Sequence, residues 1–284
     1  MKRKWKVKWK AIKMEVAEHK SSFAVYMVLR ALVILVMILQ ILNRNFEDVF
    51  YCALTLILLI IPSILQVEFK IELPTPLEII ILLFIFAAEI MGEIGSYYTK
   101  FPYWDTMLHT MNGFLAAAIG FSLVDILNRQ KSDKFHLSPL YLAIVAFCFS
   151  MTIGVMWEFF ECSMDVFFGM DTQKDTIVHS ISSVMLDPTK TQTIIHINDI
   201  QNVVVNGQEL GLGGYLDIGL LDTMKDLFVN FIGAVVFSVI GYFYVKKRGE
   251  GRFAKKFIPT RKKAEADFLE IVEKKEEEKL TEKK

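Results

Sequence analysis

The chain has 284 residues, 53% of them hydrophobic, and 32 basic side chains balance 32 acidic ones at a formal net charge of zero. Apolar runs of bilayer-spanning length recur along it, which excludes an ordinary soluble domain. The balance hides a segregation: Lys2, Arg3, Lys4, Lys6, Lys8, Lys10 and Lys13 crowd the start, against an apolar span rather than a base-reading module, so no nucleic-acid partner is expected.

Residues 1–22 form a basic segment in which Trp5, Trp9, Ile12 and Val16 recur at helical intervals with lysines between. The spacing fits an amphipathic helix on an anionic inner leaflet. It fits equally a basic flank with incidental tryptophans. Six stretches then qualify as spans, at 23–42, 49–66, 77–97, 106–124, 139–160 and 227–245. The first lacks a cleavage site and reads as an uncleaved anchor. Arg30, two turns inside it, is placed to snorkel toward the surface. Lysine and arginine in the short flanks put both termini in the cytoplasm, with the loops at 68–76 and 125–138 on the same side.

Pro62 puts a tolerated kink in the second span, and the third changes character at Glu89 and Glu93, which stand one turn apart beside Gly92 and Gly95. Tyr97, Tyr98, Phe101, Tyr103 and Trp104 make an outer aromatic belt. The fourth span opens on Trp-Asp-Thr-Met-Leu-His-Thr-Met-Asn-Gly, residues 104–113. Asp105 and His109 share a helical face, with Asn112 one turn deeper. At its inner end Asp125 and Arg129 are spaced as a solvated ion pair. The fifth span stays apolar until Trp157, Glu158 and Glu161, and Asp165 continues that face.

Residues 163–221 form the one long external segment, too long to be structureless. A short helix is expected over 171–185, stopped by Asp187-Pro188, followed by β-branched runs at 193–197 and 201–205 and the turn signal Asn206-Gly207. The expectation is a small extracytoplasmic α/β cap with a β-hairpin. Asp222, Asp226 and Asn230 then repeat at intervals of four into the sixth span, residues 222–246. Residues 247–284 are a Lys/Glu-rich cytoplasmic tail with no expected site. Cys52, Cys148 and Cys162 show no ligand spacing.

The fold class is therefore an all-α polytopic membrane protein: a six-helix bundle with a cap. Its outer helix ends carry Glu89, Glu93, Asp105, His109, Asn112, Glu158, Glu161, Asp222, Asp226 and Asn230, while the inner halves are almost free of ionisable groups. Carboxylates among lipid tails require protonation, cations or a metal. Asp105, His109, Glu158, Asp222 and Asp226 suit a divalent cation such as Mg, Mn or Zn. Glu89, Glu93, Asn112, Glu161 and Asn230 are the expected ligand contacts, and Glu158 or Asp226 would be the general base of any hydrolysis. The same set suits a proton relay. Taken singly, Asp105 and Asp222 sit where helix N-caps belong.

These residues give the chain a resemblance to the YjdF-like family of bacterial inner-membrane proteins, which is distantly similar to VanZ-like proteins. It is carried by Trp104-Asp105-x-x-x-His109-x-x-x-Gly113-Phe114, Glu158-x-x-Glu161 and Asp222-Thr-x-x-Asp226-x-x-x-Asn230-x-x-Gly233-Ala234. The resemblance implies a multi-pass bacterial plasma-membrane protein and brings no established reaction; the VanZ likeness points toward envelope chemistry. The expected function is binding of a divalent cation and, through it, of an envelope lipid head group or small anionic ligand. A cation- or proton-coupled transporter and a structural scaffold are the alternatives.

Overall fold

The computed structural model describes residues 2–130, 137–247 and 254–281. The chain forms two compact units, one of residues 1–153 with 229–284 and one of residues 154–228. The basic loop around Lys131 and Lys134, the Arg129 side chain expected opposite Asp125, and Arg248 and Arg252 lie outside the described residues.

In the larger unit, α1 (Lys2–Val16) leads within four residues into α2 (Lys20–Leu42). Only Ser22, Leu29 and Val33 of α2 are buried. Val28, Leu32, Leu35 and Leu39 face outward, which is stable where the surroundings are lipid rather than water. The second apolar stretch, Phe46–Glu68, is two helices, α3 (Phe46–Leu58) and α4 (Ile61–Glu68). The break falls just before Pro62, which has no N–H to donate to Leu58 and whose ring crowds that turn. After the two-residue strand β1 (Ile71–Glu72) comes α5 (Thr75–Phe86), which passes directly into a π-helix, Ala87–Ile94. Leu29 and Val33 of α2, Cys52 of α3, Leu82 and Ile85 of α5 and Ile90 of the π-helix form one core.

A one-turn helix, α6 (Tyr97–Lys100), stacks Tyr97 on Phe101 and Trp104 at centroid distances of 4.8 Å each. Then follow the long helices α7 (Trp104–Gln130), α8 (Pro139–Phe168) and α9 (Leu220–Lys246). Ala117, Ala118 and Phe121 of α7 share a core with Leu142 and Ala146 of α8, Ala234 and Phe237 of α9, and Ile258 from the tail. Between membrane helices lipid is as apolar as leucine, so close packing and hydrogen bonds set the association. α7 and α9 touch backbone to backbone: a Cβ on Gly113 would lie 2.0 Å from the Asn230 carbonyl oxygen, and one on Gly233 2.0 Å from that of Thr110.

The tail is folded, contrary to the solvated segment expected of its composition. Its strand β8 (Thr260–Arg261) pairs antiparallel with β1, and α10 (Phe268–Thr281) packs along α1. Val7, Ala11 and Glu15, four apart on α1, supply the buried face. Glu15 forms a buried ion pair with Lys262, and Lys70 lies 2.7 Å from Asp267. These contacts bring the two terminal segments and the 68–74 connection to one side of the unit.

The smaller unit holds three two-stranded pairs. The strand β2 (Ile177–Val178) pairs with β7 (Tyr215–Leu216), β3 (Ile181–Ser183) with β4 (Ile195–Ile197), and β5 (Val204–Val205) with β6 (Gln208–Glu209). The hairpin at Asn206-Gly207 is where its turn signal put it, with φ of 53° and 82°, the left-handed pair of a two-residue turn. The β-branched run at 193–197 supplies β4 and pairs with β3. The helix expected over 171–185 does not form: of that stretch only Val184–Leu186 is a helical turn, and it is 3-10. Ile177 and Ile181 are taken into strands, as their β-branching favours.

Candidate functional site

At the start of α7, Asp105 sits in the first turn and turns its carboxylate along the helix, 3.4 Å from His109 Nε2. Side-chain exposures of 17% and 11% leave this pair partly desolvated.

One turn deeper, Asn112 Nδ2 donates to Asn230 Oδ1 at 3.0 Å, and Asn230 Nδ2 reaches the Met151 sulfur at 3.5 Å. Ser150 Oγ donates to the Gly113 carbonyl at 2.7 Å. Asn230 and Ser150 are fully buried, so this cluster clasps α7, α8 and α9 together at the Gly113–Gly233 crossing. Asn112 and Asn230, expected as ligand contacts, bond to each other across the helix interface. The crossing also fixes register. Gly113 meets Asn230 and Ala234, Gly233 meets Thr110 and Phe114, and Gly241 meets Phe121 further along. The two helices therefore run parallel, with facing residues offset by about 120 positions throughout.

Glu89 and Glu93 lie on the π-helix, which packs against α7. Glu89 is buried and Glu93 half-buried. A π-helix widens the turn by one residue and recurs at functional sites.

In the smaller unit, Glu158 is buried, and Glu161 accepts from the Trp157 indole at 2.9 Å. Asp222, expected as cap and metal ligand, accepts the Lys174 backbone N–H at 3.0 Å and lies 3.3 Å from Lys225 Nζ. It ties the 171–176 stretch to α9. The cap belongs to Asp217, which accepts the Leu221 N–H at 2.8 Å and the Thr176 N–H at 2.7 Å. Burial works against the charged form of Asp217, but these backbone donors outweigh it and hold the carboxyl below its usual range. Asp226 is 2% exposed at its side chain and has Lys225 Nζ 3.6 Å away.

Sequence reading missed Asp217, Ser150 and the Glu15–Lys262 pair. Asp217 carried a signal, an Asp three residues before the first helical residue; a serine within an apolar span and a lysine 247 residues from its partner carried none.

Five described helices are long and apolar enough to cross a membrane, and with their lipid-suited outer faces they make this a helical multi-pass membrane protein. The family described as "Predicted membrane protein (DUF2238)" matches residues 25–247, and the chain belongs to it. No curated protein and no solved structure matches the chain.

Proposed function

We propose that this is a six-span plasma-membrane protein that binds a divalent cation through Asp105, His109 and Asp226, and through that cation an envelope lipid head group or small anionic ligand. The third expected span is then the combined α5 and π-helix, the 163–221 segment lies outside the cell, and both termini lie in the cytoplasm. The kinship with YjdF-like proteins belongs to the same reading.

The observation that carries it is the register between α7 and α9. Asp226 stands one turn before Asn230 in the same unbroken helix, and an offset of about 120 residues carried one turn beyond the Gly113–Gly233 crossing supports it as the third ligand. One imidazole and two carboxylates suit a borderline or hard divalent ion. A fourth position left for the ligand's phosphate or carboxyl gives the ion its bridging role.

The test is metal content of the purified full-length protein by elemental mass spectrometry, for wild type, His109→Ala and Asp226→Asn. One equivalent of Mn or Zn in wild type, lost in both variants while the metal-stripped forms of all three share one melting temperature, is expected. Equal metal content in all three would overturn the proposal, and proton-driven uptake into proteoliposomes would then favour transport.

A further inference from the structure

A second charged feature sits where the two terminal segments meet. Between α1 and α10 runs a groove of about 340 Å³ lined by Lys10, Lys13, Met14, Val272, Lys275 and Glu276. Three ammonium groups face one carboxylate, and that carboxylate, on Glu276, is already paired with Lys10. The lining therefore carries two more ammonium groups than carboxylates. Val272 is buried beneath them and Met14 borders it, which gives the groove an apolar floor under a basic rim.

We infer that this groove binds the phosphodiester head group of an anionic phospholipid from the adjoining leaflet. Charge complementarity selects the anion, since an ammonium pair over an apolar floor suits a phosphate carried on an acylated glycerol. Position selects the lipid over free phosphate. α1 ends at Val16 and the first span begins at Lys20, so Lys13 lies within two turns of the bilayer. On the same helix Trp5 and Trp9 stay exposed, with ring centroids 5.5 Å apart, and Lys13 Nζ lies 5.9 Å from the Trp9 ring. Exposed indoles beside lysines are what an interfacial helix presents to head groups. The buried face of α1 is the opposite one, Val7, Ala11 and Glu15, so burial of that face leaves the tryptophans exposed.

The test is native mass spectrometry of the full-length protein titrated with phosphatidylglycerol, and separately with phosphatidylcholine of the same acyl chains. Three forms are compared: wild type, the double variant Lys13→Gln with Lys275→Gln, and the control Lys20→Gln with Lys256→Gln. The double variant keeps the Lys10–Glu276 pair, and its melting temperature is measured alongside. Wild type should bind its first phosphatidylglycerol about tenfold more tightly than phosphatidylcholine. The double variant should lose that preference, the control should keep it, and Lys13→Arg with Lys275→Arg should restore it. Equal affinity for both lipids in wild type overturns the inference, as does an equal loss in the control. Displacement of phosphatidylglycerol by equimolar inorganic phosphate overturns it too, since the site would then be one for free phosphate.

Discussion

Two regions of this protein manage charge in opposite ways. Where α1, the 68–74 connection and the tail meet, carboxylates pair with lysines distant in sequence: Lys8 with Glu68 at 2.6 Å, Lys70 with Asp267 at 2.7 Å, and Lys262 with Glu15. In the 154–228 unit, aspartates take backbone N–H groups from nearby turns. Asp187 accepts from Thr189, Thr191 and Thr193 at 2.9, 2.9 and 3.1 Å, and Asp165 from Thr172 and Gln173 at 2.6 and 2.8 Å. The first arrangement depends on a remote partner of opposite sign. The second needs only local geometry, because a carboxylate satisfies several donors that a strand-poor segment would otherwise leave unbonded.

The largest effect separating the two is expected at Lys262. Above pH 7, where Glu15 is charged, Lys262→Met leaves it buried without its cation and should cost about 3 kcal/mol. Glu15→Leu in the same chain should recover most of that, as read by denaturant unfolding of the tail. Additive losses in the double variant would break the comparison.

A pH effect comes next. Burial, set against the lowering influence of Lys262, pushes the Glu15 carboxyl up to about 7 from 4.5. The folded form then holds its proton where the unfolded form has lost it. Stability of the docked tail should therefore fall as pH rises from about 4.5 to 7 and level off above, and Glu15→Gln should flatten the profile. The sign reverses at Asp187. The Thr189 hydroxyl above all, with the backbone donors, holds that carboxyl down at about 2. Its contribution is present above pH 3.8 and lost as pH falls through 2, so the 187–193 turn should outlast mild acid.

Local loss in the second region should be smaller and confined. Asp187→Ala should speed amide exchange at Thr189, Thr191 and Thr193 severalfold while leaving exchange in α10 unchanged. The smallest effect is expected at the exposed Lys8–Glu68 pair, where Lys8→Gln should cost about 0.5 kcal/mol or less and nothing at high salt.

What the sequence made legible follows from the range of each signal. Apolar length revealed the helices, and helical spacing put Asp105 with His109 and Asn112 one turn on. Pro62 marked the break between α3 and α4. The Asn206-Gly207 hairpin was readable because two residues specify it. The pairing of β3 with β4 was not, since β-branched runs at 181 and 195 carry no mark of which partner they take. The folding of the tail was hidden for a related reason: a Lys/Glu-rich composition reads as solvated, and only tertiary contact turns Lys262 and Asp267 inward. The amides at Asn112 and Asn230 were legible as a polar face, and their bond to each other was not. Spacing locates a polar face and does not say whether a ligand or a neighbouring helix occupies it.

The central claim, a cation held by Asp105, His109 and Asp226, is tested most directly by thermal unfolding of purified protein across a Mn(II) or Zn(II) titration. Ligand bound only by the folded form stabilises it by about 2.7 kcal/mol at a hundredfold excess over Kd. Wild type should show a rising Tm that saturates, and His109→Ala and Asp226→Asn should start from the same Tm and stay flat. A wild-type Tm indifferent to both metals, or an equal rise in the variants, would contradict it.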